Sequence, residues 1–65
     1  MMLRDYKFET PTATICYARN GHRLHEGSVD KIPEHLMNYF ITEEIVNTIR
    51  DNTYLEVVED ENYID

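Results

Sequence analysis

Cys16, His22 and His25 are the residue types of this chain that bind metals or act as nucleophiles. They lie close enough in sequence to meet across one hairpin. Structural zinc takes four ligands, so one cysteine and two histidines leave the set short, and Glu26 or His35 would have to complete it. Two paired, exposed hairpin histidines are the simpler reading. As a nucleophile, Cys16 needs a cation or base beside it to hold the thiolate. Its strand parity opposes that of Ile15 and Tyr17, and a packed, inert thiol is expected. Glu43/Glu44 and Glu59/Asp60/Glu61 are carboxylate clusters, but a glycosidase-type pair needs a cleft between its two acids. A chain of 65 residues offers little room for one. No Gly-rich phosphate loop, HExxH or GxSxG occurs. The expectation is a non-enzyme with no cofactor and no metal.

Charge is the stronger signal. The chain holds 13 Asp and Glu against 6 Lys and Arg, a net charge of −7. Through Pro33 the signs nearly cancel, with Arg4, Lys7, Arg19, Arg23 and Lys31 against Asp5, Glu9, Glu26 and Asp30. Beyond Pro33, Arg50 stands alone against Glu34, Glu43, Glu44, Asp51, Glu56, Glu59, Asp60, Glu61 and Asp65. An acidic half repels nucleic acid and steers toward basic partners. Direct binding to DNA or RNA is not expected, because no basic patch or stacking platform is present.

Carboxylates at alternate strand positions repeat at about 6.6 Å, so Glu59 and Glu61 would form a row if the last strand reaches them. Such a row resembles the closely spaced phosphates of DNA. Glu43, Glu44, Asp51, Glu56, Glu59, Asp60 and Glu61 are therefore the candidate partner-binding residues, each as a phosphate substitute. Tyr54 and Tyr63, embedded in the acidic end, join them as aromatic contacts. Tyr17 and Tyr39 read as core or dimer packing.

The elements that must position these groups read as an α+β domain over residues 1–58, a small antiparallel meander with one or two short helices packed on it, followed by an acidic tail at 59–65. Residues 3–10 alternate well enough for an edge strand stopped by Pro11. Residues 12–19 are β-branched and aromatic, and Asn20-Gly21 suits a two-residue hairpin turn returning through 22–25. Gly27 marks a bulge or turn, and residues 28–32 form a short strand with Val29 inward. Pro33 suits the first turn of a helix, with Leu36, Met37, Phe40 and Ile41 at helical spacing. Thr42 with Glu43 and Glu44 reads as a fresh helix start, and Ile45, Val46 and Ile49 as that helix's apolar face. Residues 53–58 return to strand character.

A chain this short buries only about 60% of its unfolded surface, so a homodimer is the expected remedy. No apolar run approaches the roughly 18 residues of a spanning helix. The N-terminus lacks the apolar stretch of a signal peptide, and a cytoplasmic protein is expected. Glu26-Gly27-Ser28-Val29-Asp30-Lys31-Ile32-Pro33 and the apolar residues that follow to Ile41 resemble a pattern of small bacteriophage accessory and morphogenesis proteins. There a turn glycine precedes a short strand, an Ile/Leu-Pro pair opens a helix, and a later strand ends in acids, here residues 55–61. Thr42-Glu43-Glu44 replaces the glycine expected near the helix end. The resemblance implies a viral origin and transfers no site. Together these readings predict a phage-type protein that inhibits a basic host protein, as a DNA mimic displacing DNA from a nucleoid or transcription protein. The alternative is a virion structural or assembly component whose acidity serves solubility.

Overall fold

A computed structural model describes residues 1–60. Its regular structure is four strands: β1 (Thr12–Tyr17), β2 (Arg23–Ser28), β3 (Phe40–Asn47) and β4 (Asn52–Val58). They form one mixed sheet in the order β2-β1-β4-β3. β1 and β4 run parallel at the centre, and β2 and β3 pair antiparallel on the two edges. The central strands are the two richest in apolar, β-branched and aromatic types, TATICY and NTYLEVV, as a half-buried pleated surface requires.

The α+β expectation is corrected by this architecture. The described residues contain no α-helix, only 3-10 turns at Leu3–Asp5, Val29–Lys31 and Glu34–Asn38, so the fold is nearly all β. Of the helix expected from Pro33 to Ile41, only one short turn exists. Leu36 and Tyr39 N–H groups close it on the carbonyls of Pro33 and Leu36. Phe40 and Ile41 already belong to β3, and the second expected helix is β3 itself and the turn after it. The edge strand expected over residues 3–10 is instead a 3-10 turn followed by irregular chain. The Asn20-Gly21 hairpin has a longer loop than two residues, because β1 ends at Tyr17 and β2 begins at Arg23.

The chain from β2 must reach β3 on the opposite edge, and residues 29–39 carry it across one face of the sheet. On that core face Ala13, Ile15, Leu55 and Val57 pack against Leu3, Ile32 and Leu36. Ile15, Leu55 and Val57 are fully buried, each worth about 1.5–3 kcal/mol relative to exposure. Tyr17 and Tyr39 meet edge to face at 6.4 Å between ring centres. Among the described residues no helix is long and apolar enough to cross a membrane.

Two register breaks decide which side chains share a face. In β2 the extra residue is Leu24: Ile15 faces His25 and Cys16 faces Arg23. In β3 it is Thr42: Ile41 faces Val57, while Glu43 faces Glu56. A bulge of one residue inverts the side-chain alternation beyond it. Glu44 and Val46 therefore follow Ile41 onto the core side, opposite Leu55 and Thr53, and Glu43 and Ile45 turn to the other face.

Candidate functional site

The face opposite the core is closed at Cys16 and Val58, which are buried, and opens toward β3, where Glu43 and Ile45 are exposed. Its residues form cross-strand rows fixed by the register. One row runs Arg23, Cys16, Glu56, Glu43, and the next runs Glu26, Thr14, Tyr54, Ile45. A third holds Ser28, Thr12, Asn52 and Asn47. In this last row the Thr12 hydroxyl lies 2.8 Å from Asn52 Oδ1, and Asn52 Nδ2 donates to the Thr14 hydroxyl at 3.3 Å. This end of the face is polar and internally satisfied.

The Glu56 end differs. Glu56 and Glu43 are directly opposite one another on antiparallel strands, where like charges oppose pairing. Glu56 accepts the Tyr54 hydroxyl at 2.7 Å. Among the described residues neither acid has a basic partner, since the nearby Arg23 is taken by Glu26 at 2.9 Å. That pair is itself a product of the Leu24 bulge, because residues three apart on a regular strand point to opposite faces. The Glu56 carboxylate holds the Tyr54 hydroxyl in its neutral form and, with partial burial and the adjacent Cys16, raises its pKa. Beside them Ile45 leaves 55% of its surface exposed.

The other sequence candidates diverge from this patch. Glu44 points to the core side, where Tyr6 donates to Oε2 at 2.5 Å. Burial first, then this hydrogen bond and the charges of Glu44 and Glu9, push the Tyr6 hydroxyl up to about 12. Asp51 sits in the β3–β4 turn at φ 54°, its carbonyl accepting the Thr12 hydroxyl. Glu59 lies past the other end of β4, some 25 Å of extended chain away (about 3.3 Å per residue). There Tyr17 donates to its two oxygens at 2.7 and 2.9 Å, and Arg19 stands 3.6 Å away. The tyrosine hydrogen bond, its own backbone amide and the arginine charge together hold the Glu59 carboxyl below the usual carboxylate value. Asp60 is exposed beside a hollow lined by Met1, Met2 and Phe40. Glu61 and Tyr63 lie outside the described residues. The expected run of phosphate-like acids is thus dispersed over both faces and both ends of the sheet. Glu43, Glu56 and Tyr54 are the nominated residues that converge.

Cys16 is 6% exposed and lies beside Tyr54. His25 Nε2 sits 3.0 Å from the Ser28 carbonyl, and His22 is exposed in the hairpin loop. No group of three or more His, Cys, Asp or Glu among the described residues is placed to hold a metal ion. Ile45 is the site residue that sequence reasoning missed. The sequence places it on the apolar face of a helix, and the Thr42 bulge in β3 turns it to the face opposite the core. Compared with known proteins, the chain matches no family model, no curated protein and no solved structure.

Proposed function

We propose that this chain is a non-enzymatic binding protein whose sheet face opposite the core docks on a basic protein surface, at its β3 side, through Glu43, Glu56, Tyr54 and Ile45. The observation that carries the reading is the Glu43–Glu56 juxtaposition, two like charges in register with no ion-pair partner among the described residues. Such a pair is unfavourable in the free protein and becomes favourable once Lys or Arg of a partner is inserted. Tyr54 adds area with a polar tip, and Ile45 supplies an apolar contact, the composition that interface centres favour. Surfaces that neutralise nucleic-acid phosphates have the complementary chemistry. Displacement of DNA from a basic host protein is the inhibitory consequence, in the phage-type setting that residues 26–41 suggest.

The test is the affinity of a fluorescent Lys/Arg-rich peptide for the wild-type protein and for the Glu43→Gln, Glu56→Gln double variant. Glutamine at 56 still accepts the Tyr54 hydroxyl, and thermal unfolding verifies that the variant is folded. Wild-type binding is expected to fall steeply between about 50 and 200 mM salt. The double variant is expected to bind at least about tenfold more weakly, a loss of about 1.4 kcal/mol. Equal affinity for the two proteins overturns the reading. Salt-insensitive self-assembly in place of peptide binding favours the structural alternative.

A further inference from the structure

β3 is an edge strand, and among the described residues its outer side is occupied only at its start. Met2 bridges Phe40 there, and the Ile41 N–H donates to the Met1 carbonyl at 2.9 Å. Among the described residues no backbone group pairs with residues 43–47 from outside. Open backbone on an edge is a template for another chain unless it is blunted by bulges, charge or cover. The opposite edge is blunted: β2 contains the Leu24 bulge and Gly27 at φ 136°. On β3 the Thr42 bulge falls at the end already covered, which leaves residues 43–47 regular.

A hollow of about 480 Å³ lies along this same edge, lined by Met1, Asp5, Tyr6, Lys7, Ile41 and Glu44. Ile41 and Glu44 reach it from the core side of β3, and the other four come from the N-terminal segment. An extended segment laid along β3 would send alternate side chains toward the hollow and toward the face opposite the core. The hollow offers Met1, Ile41 and the Tyr6 ring to an aliphatic stem, and the carboxylates of Asp5 and Glu44 to a cationic tip. Lys7 is the one cationic side chain in the lining. On the face opposite the core, alternate residues would meet Glu43 and Ile45, which are exposed.

We propose that β3 receives an extended, cation-bearing segment of the partner as a fifth strand, with a Lys or Arg side chain lodged in the hollow beside Tyr6 and Glu44. This rests on the reading that the partner is basic, and adds the mode by which it is held. Strand addition draws affinity from main-chain hydrogen bonds and specificity from pockets for alternate side chains, and both parts are present on this edge. The occupant is a partner segment rather than a second copy. Two copies paired along β3 would bring two Glu43-Glu44 sets onto one ladder, where like charges repel.

The first comparison uses the unaltered protein. A capped peptide of about seven residues, a common strand length, alternating Arg and Val, is compared with two versions N-methylated at alternate residues in opposite phase. N-methylation removes the donor needed for the ladder. One phase places its methyl groups against β3 and is expected to bind at least about tenfold more weakly; the other faces away and is expected to bind like the parent. Equal effects of the two phases, or no binding of the parent, overturn the proposal. If both phases bind equally while the Glu43→Gln, Glu56→Gln variant still loses affinity, the sheet-face reading stands and the edge does not. Glu44→Gln is expected to weaken the parent peptide severalfold, and unchanged affinity removes the hollow from the proposal. Concentration-dependent dimerisation that protects the amides of residues 43–47 from exchange assigns the edge to a second copy and overturns it equally.

Discussion

Glu43 stands opposite Glu56 on the β3–β4 ladder, and the described structure supplies no cation to separate them. The pair lowers stability in the free protein, so its removal has a predictable sign. Glu43→Thr, which keeps strand propensity and deletes one charge, is expected to raise stability by about 0.2–1 kcal/mol. In a domain this small that is a rise of a few degrees in Tm, since about 1 kcal/mol corresponds to 4–8 °C. Thermal unfolding at low salt measures it, and the gain is expected to shrink as salt screens the repulsion. A fall in Tm would show that Glu43 makes a favourable contact.

Tyr6 gives the fold an alkaline limit. Its hydroxyl, half-buried and bonded to Glu44, is raised from the ordinary 10.0 to about 12. A group that holds its proton more tightly when folded contributes stability in full below its unfolded pKa and loses it as pH rises through the folded one. Unfolding free energy is therefore expected to decline between about pH 10 and 12. Tyr6→Phe is expected to be less stable at neutral pH by about 0.5–1.5 kcal/mol for the lost hydrogen bond, with a flatter alkaline decline. Urea unfolding across that range decides it, and an equally steep decline in the variant would place the titration elsewhere.

How much of this was legible in the sequence depended on whether alternation survived. β4 was legible because Thr53, Leu55 and Val57 keep strict period two against Tyr54 and Glu56. β3 was not, because the Thr42 bulge puts Ile41 and Val46, five residues apart, on one face. That disguise left Phe40, Ile41, Ile45 and Val46 readable as helix faces, although most of the segment is β-branched, aromatic or acidic. Glu43, Glu56 and Tyr54 could be nominated from charge and composition. Tyr54 and Glu56 share a face by the alternation of β4 alone, whereas the arrival of Glu43 and Ile45 beside them depends on the β3 bulge. The dispersal of Glu44, Asp51 and Glu59 followed from register and chain ends, which a charge count does not contain.

Gly27 and Gly21 should differ in what they tolerate. Gly27 lies at φ 136°, a region closed to side-chain-bearing residues, although a Cβ there would touch nothing within 4 Å. Gly27→Ala is expected to destabilise by about 1–3 kcal/mol through backbone strain alone. Gly21 lies at φ 76°, near the left-handed region that asparagine visits readily, so Gly21→Asn is expected to fall within about 1 kcal/mol of wild type. Chemical denaturation of the two variants tests the contrast, and equal losses would indicate that the Gly27 backbone relaxes.

Tyr17 and Glu59 tie the end of β4 to the first hairpin, and this tie has an acidic signature. Tyr17 donates to both carboxylate oxygens of Glu59, the chief reason that carboxyl lies below its ordinary 4.5. A depressed carboxyl contributes stability above its unfolded pKa and loses it as pH falls through the folded value. Tyr17→Phe removes the donor but leaves Arg19, whose charge also favours the carboxylate. The Glu59 pKa is therefore expected to return part of the way toward 4.5, and Arg19→Gln added to it is expected to move it further. Side-chain carboxyl NMR titration of the single and double variants reads both steps. A Glu59 value unmoved by Tyr17→Phe would mean that the backbone amide, not the hairpin tyrosine, holds this end of the strand.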